Sequence, residues 1–190
     1  MKIIIKRLVA ALFVLFGIYA VSAKAVDDTN TGIPLVINDD VKVFDKIASD
    51  IGTALPRNVQ ILTYNIFFLN CDTETSSQIS ENFQAVLSGR QTSKHYTMFF
   101  IDDVMKQHPE IDFSFMNKLN DQDLIAFGQN ISADVVFISS VTLLEGKYKR
   151  VWNPQTHQFV KKKIMLFQGN IFSTKTGVYM LRLSEYFLVN

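Results

Sequence analysis

The densest group of chemically capable side chains in this 190-residue sequence lies between positions 147 and 163, KYKRVWNPQTHQFVKKK. Lys147, Lys149 and Arg150 precede a turn, and Lys161, Lys162 and Lys163 follow it. Tyr148, Phe159 and Trp152, the only tryptophan, stand among them. Cations supply charge and rings supply apolar contact, a combination suited to an acidic protein surface, an anionic glycan or a lipid headgroup. In a hairpin these like charges would face one another across the strands and repel by about a fraction of a kcal/mol per pair. An external anion would relieve that repulsion. The alternative is a solubilising edge, because lysines keep exposed strands from pairing.

The remaining candidates have simpler readings. Lys175-Thr176-Gly177 matches the Lys-Thr-Gly element of serine acyl-transfer enzymes, but no Ser in the chain has Lys three positions later and Ser-Asp-Asn is absent. It therefore reads as a hairpin turn in which Gly177 takes a positive φ and Thr176 bonds back to the local backbone. His95, His108 and His157 lack metal-ligand spacing, and no His-Glu-x-x-His, nucleophile elbow, dinucleotide fingerprint or P-loop occurs. The adjacent Asp102 and Asp103 diverge on any regular element and suit helix capping better than paired acid and base work. Cys71 is the only cysteine. It is expected to be buried after the apolar run ILTYNIFFLN, with pairing between chains as the alternative. No catalytic residue, cofactor or metal is assigned.

Residues 1–23 have cations at Lys2, Lys6 and Arg7, an apolar run from Leu8 to Ala20, and then small residues. That order is a secretory signal. The run covers about 20 Å at about 1.5 Å per residue, against about 30 Å of hydrocarbon to be crossed. Cleavage is expected after Ala23 or Ala25, with an uncleaved anchor as the alternative. No cysteine follows the signal closely enough to accept lipid, so a soluble, non-lipidated periplasmic protein is expected. Removing 23 residues leaves 16 Lys and Arg against 18 Asp and Glu, a balance that indicates no nucleic-acid partner. The charge is uneven. Residues 26–140 hold 7 cations and 16 anions, whereas residues 141–190 hold 8 and 2.

The elements that would position the basic segment follow from periodicity. Residues 26–40 read as a leader, and 41–190 as a single domain. Phe44, Ile47, Ala48, Ile51 and Leu55 form the stripe of a helix over 41–55, capped by Asp39 or Asp40 and ended by Pro56. A central strand is expected at 58–70, because Ile66-Phe67-Phe68-Leu69 is too continuous for a wet face. Then come a helix over 75–88 stopped by Gly89, a strand at 96–101, a helical turn at 102–107 and a helix at 121–130. Strands at 134–144, 147–152, 159–172 and 178–189 read as an antiparallel meander with turns at 144–146, 153–156 and 173–177. The fold class is α/β (α+β): one mixed β-sheet packed with helices and ending in an antiparallel C-terminal meander.

The stretch NISADVVFISSVTLLEG followed by NPQTHQFVKKKIMLFQGNIFSTKTGVYMLRLSEYF resembles the ending of a group of bacterial envelope domains. The group includes the penicillin-binding-protein activator lipoprotein LpoB, the soluble part of the curli secretion protein CsgG and the amino-terminal domain of TolB. Ala133-Asp134 and Thr176-Gly177 carry most of the likeness, and the earlier helices and strands fit the same order. The resemblance implies a non-enzymatic periplasmic protein, associated with the outer membrane, that binds other envelope proteins as an accessory, activator or assembly factor. This sequence lacks the lipid-bearing cysteine and Pro-rich tether of the lipoprotein members. The alternative is a binder of glycan, peptidoglycan or anionic lipid headgroups through the basic aromatic hairpin, and a small hydrolase ranks last. The residues assigned to binding are Lys147, Lys149, Arg150, Trp152, Lys161, Lys162 and Lys163.

Overall fold

The computed structural model describes residues 33, 37–94, 96–109 and 121–189. The expected signal, its cleavage positions, most of the leader and His95 lie outside the described residues. The architecture is that of the unit Val36–Asn190. Its elements are β1 (Asn38–Asp39), α1 (Asp40–Ala54), β2 (Val59–Thr63), β3 (Phe67–Leu69), α2 (Thr73–Lys94) and β4 (Tyr96–Phe100). These are followed by α3 (Ile101–Gln107), α4 (Asp121–Asn130), β5 (Val135–Asn153), β6 (Gln158–Ser173) and β7 (Tyr179–Val189).

The strands form one mixed sheet in the order β1-β7-β6-β5-β2-β4, with β3 pairing farther along β5. β2 runs parallel to β4 and β5, while β5, β6 and β7 are antiparallel, so the mixed sheet with its closing meander is as expected. Helices cover both faces. α1 and α2 bury Phe44, Ile47, Ile51, Ile79, Phe83 and Leu87 against Phe137, Phe167 and Phe187. α3 and α4 bury Ile101, Val104, Leu124 and Phe127 against Leu62, Val136 and Phe172. Strand alternation does the sorting: Val135, Phe137 and Val141 of β5 face the first pair of helices, and Val136 faces the second.

Aspartate side chains cap the first two helices. Asp39 caps α1, its carboxylate accepting from the Lys42 N–H at 3.0 Å, and Leu55 before Pro56 closes the helix. Asp72 caps α2, its two oxygens accepting from the Thr75 N–H at 2.8 Å and the Thr75 hydroxyl at 2.9 Å. Tyr64 is buried and donates to the Leu124 carbonyl at 2.7 Å, tying the end of β2 to α4. Burial pushes its phenol well above the ordinary range.

Four local expectations are corrected. The strand over 58–70 is two strands, because Tyr64–Ile66 leaves the ladder, and Phe67 and Leu69 are exposed. Its buried residues are Val59, Ile61, Leu62, Thr63, Tyr64 and Ile66, with Gln60 exposed. α2 runs through Gly89 to Lys94. A Cβ on Gly89 would meet nothing within 4 Å, and an exposed glycine costs a helix only about 1 kcal/mol. The predicted turn at 144–146 is a bulge inside the 19-residue β5, where Gly146 takes φ 69°. Asp102 does not cap α3. The cap position is Phe100, which has no side-chain cap bond, and Asp102 and Asp103 sit within the first turn.

Five phenylalanines lock the first face: Phe44 meets Phe83 at 5.2 Å, Phe187 at 5.7 Å and Phe167 at 5.9 Å, and Phe83 meets Phe137 at 5.9 Å. Gly169 makes room for them, since a Cβ there would lie 2.6 Å from the Phe137 ring. Phe83→Ala is expected to cost about 3–5 kcal/mol and Gly169→Ala about 1–3 kcal/mol, both measurable by urea unfolding at unchanged m-value.

Candidate functional site

β5 and β6 outrun the rest of the sheet. β7 pairs with β6 only as far as Lys163 opposite Val189, and among the described residues the stretch of β6 before Lys163 pairs with β5 alone. This two-stranded ribbon carries the basic segment. At about 3.4 Å per residue, the five steps from Lys163 to Gln158 extend it by about 17 Å. At its base the five steps along β5 from Leu143 to Tyr148 span only the two steps from Met165 to Lys163 on β6, and Lys147 falls in this irregular stretch. At its tip Asn153 accepts from the Gln155 N–H at 2.9 Å, and His157 turns the chain with φ 51°.

The register decides which side chains share a face. Tyr148 opposes Lys163, Arg150 opposes Lys161, and Trp152 opposes Phe159, so these six project from one face. Lys149 opposes Lys162 and Val151 opposes Val160 on the other. The seven assigned residues are thus gathered on one ribbon but not on one face. Alternation along β6 puts Lys161 and Lys163 on the side of Met165 and Phe167, which α1 and α2 cover. Lys163 reaches the α2 cap there, its Nζ 3.9 Å from an Asp72 oxygen. Asp72 belongs to the site by this contact. It lies 91 residues earlier, and no spacing in the sequence connects the two.

The rings organise the first face. Lys161 Nζ lies 4.4 Å from the centroid of Tyr148, a cation–π contact. Trp152 and Phe159 pack edge to face at 5.2 Å and remain 48% and 67% exposed, with His157 6.2 Å from the indole. Large rings adjacent to a tip and still this open are atypical of a core and suited to a contact surface.

The other candidate groups take part in structural bonds. Lys175–Gly177 is the β6–β7 turn: Gly177 has φ 68°, its N–H donates to the Ser173 carbonyl at 2.8 Å, and the Thr176 hydroxyl accepts from the Val178 N–H at 3.4 Å. Asp102 accepts from Asn65 at 2.8 Å, and Asp103 lies 3.5 Å from Lys106. His108 and His157 are exposed. Cys71 is half-buried, its thiol donating to the Leu69 carbonyl at 3.4 Å, and partial burial pushes its pKa up. Among the described residues no three His, Cys, Asp or Glu converge to hold a metal ion.

Solved structures with this architecture include the LpoB C-terminal domain from Salmonella enterica. The TM-score is 0.55 at 13% identity, over 78% of this chain and 97% of that one. The fold is that of the LpoB C-terminal domain. The same domain from Escherichia coli matches with a TM-score of 0.53 at 12% identity, again over 78% and 97%. No protein-family model and no curated protein matches the sequence. In this LpoB-like fold the pair Ala133-Asp134 is a junction. The Asp134 carboxylate accepts from the Gln60 N–H at 2.8 Å, extending the β2–β5 pairing, and the Thr174 hydroxyl donates to the Ala133 carbonyl at 2.6 Å.

Hydrogen bonds from the Thr75 N–H and then the Thr75 hydroxyl hold the Asp72 carboxyl below the ordinary carboxylate range, with Lys163 adding to the effect. The cap therefore contributes stability above that range and loses it as pH falls through the lowered value. Asp72→Ala is expected to lower the melting temperature at neutral pH. The gap to the parent should close in strong acid, which thermal melts across the acidic range would check.

Proposed function

We propose that this protein is a non-enzymatic domain of the bacterial cell envelope that binds other envelope proteins. The observation that carries the reading is the fold, matched over 97% of the LpoB C-terminal domain. The groups that could have signalled chemistry support it, because the Lys-Thr-Gly turn, Asp102 and Asp103 are engaged in local bonds. The signal-like order of residues 1–23 supports export to the periplasm. An outer-membrane association and an accessory, activator or assembly role belong to the same reading. Lys147, Lys149, Arg150, Trp152, Lys161, Lys162 and Lys163 form the surface we assign to contact with an anionic component of the envelope.

The test is cross-linking of the intact protein in an envelope preparation, identification of the adduct by mass spectrometry, and reconstitution with that protein in purified form. Saturable binding of the purified pair is the expected result. Turnover of a substrate from a hydrolase panel, abolished by Asp102→Asn, would contradict it.

A further inference from the structure

The geometry points to a membrane-docking device: we propose that the β5–β6 ribbon seats the domain on an anionic phospholipid surface. Trp152 and Phe159 enter the headgroup region, and the cations behind them meet lipid phosphates. This stands independently of the protein-binding reading above.

The first argument is the order of side chains along the ribbon. The turn Asn153–Thr156 carries no charge, the exposed Trp152–Phe159 pair comes next, and the opposed cations stand farther back. Between Lys147 and Lys163 there is no Asp or Glu. Rings leading and cations following is the arrangement an interface demands, since indole and phenyl groups partition to the boundary of headgroups and acyl chains while Lys and Arg remain at the phosphates.

The second argument is the distribution of charge about the ribbon. Arg150 opposes Lys161 on one face, and Lys149 opposes Lys162 on the other. Cations therefore stand on both faces of the ribbon. A layer of anionic headgroups surrounds an inserted ribbon and neutralises both faces at once. The third argument is reach. The extension of about 17 Å beyond the third strand exceeds the insertion depth of about 5–10 Å typical of interfacial elements, so the ribbon can enter while the sheet and helices remain outside.

Trp152 is the only tryptophan, so its fluorescence reports the ribbon alone and is insensitive to any contact made by the apolar run at 8–20. The purified protein is mixed with vesicles of phosphatidylglycerol and phosphatidylcholine, or of phosphatidylcholine alone, each prepared with and without brominated acyl chains. The expected result is a blue shift and bromine quenching with phosphatidylglycerol only, weakened by salt. The variant Arg150→Glu, Lys161→Glu, Lys162→Glu should reduce this response at least about tenfold at an unchanged melting temperature. Lys163 is left in place because it contacts the α2 cap. Phe159→Ser keeps the reporter and should reduce quenching without altering the fold. Three outcomes would each overturn the proposal: no bromine quenching in anionic vesicles, equal quenching by the charge-reversed variant, or a Trp152 response to peptidoglycan fragments or a purified envelope protein but not to vesicles. None of them bears on whether a protein partner binds elsewhere.

Discussion

The packing of five phenylalanine rings between α1, α2 and the sheet is the interaction on which the rest of the structure depends. Phe44 and Phe83 come from the helices, and Phe137, Phe167 and Phe187 come one each from β5, β6 and β7, so a single cluster joins five elements. All five are essentially inaccessible to solvent. The polar links across the same layer are weaker by nature. Lys46 pairs with Glu185, and Asp45 with Arg90 at 2.5 Å, but these side chains are roughly a quarter to a half exposed. Exposed pairs contribute about 0–1 kcal/mol each, whereas a buried ring contributes several times that on removal.

A core of this kind lets β5 and β6 extend past it. Once the strands are held by the rings and by β7, their continuation needs only its own ladder and the cross-strand contacts at its tip. A lone two-stranded ribbon in water is marginally stable, and here it grows out of a supported sheet. The Trp152–Phe159 and Lys161–Tyr148 contacts add to what the ladder provides. The charged segment is therefore an appendage whose sequence can change with little effect on the fold, and it is the part of the molecule best placed to meet something else.

Much of this was legible in the sequence, for identifiable reasons. The stripe Phe44, Ile47, Ala48, Ile51 and the aspartate before it announce α1, because helix period and capping are local properties. The Gly177 turn was legible for the same reason. What escaped was set by distance or by competition. Ile66–Leu69 looks like a core strand, yet β3 pairs only with the far part of β5 and leaves Phe67 and Leu69 exposed. Gly89 looks like a stop, but beyond it Arg90 pairs with Asp45 of α1 and the Gln91 side chain accepts from the Met98 N–H, so tertiary contacts hold the helix past the glycine. The basic segment was visible as charge and aromaticity. Its division between two faces follows from strand alternation, which sends the consecutive cations Lys149 and Arg150, and Lys161 and Lys162, to opposite sides, and from the hairpin register that sets Asn153 against Gln158. The residues that carried the resemblance, Ala133-Asp134 and Thr176-Gly177, make junction and turn bonds and so mark the fold and leave the partner unspecified.

The claim at the centre of this account is that a rigid ring-packed core supports a ribbon that opens independently of it. Native-state hydrogen exchange of backbone amides tests that most directly. The account predicts that Val151 and Val160 exchange through local opening, with free energies well below the global value. Phe137 and Phe167 should exchange only through global unfolding. Equal protection of the ribbon and core amides, lost together in Phe83→Ala, would contradict it.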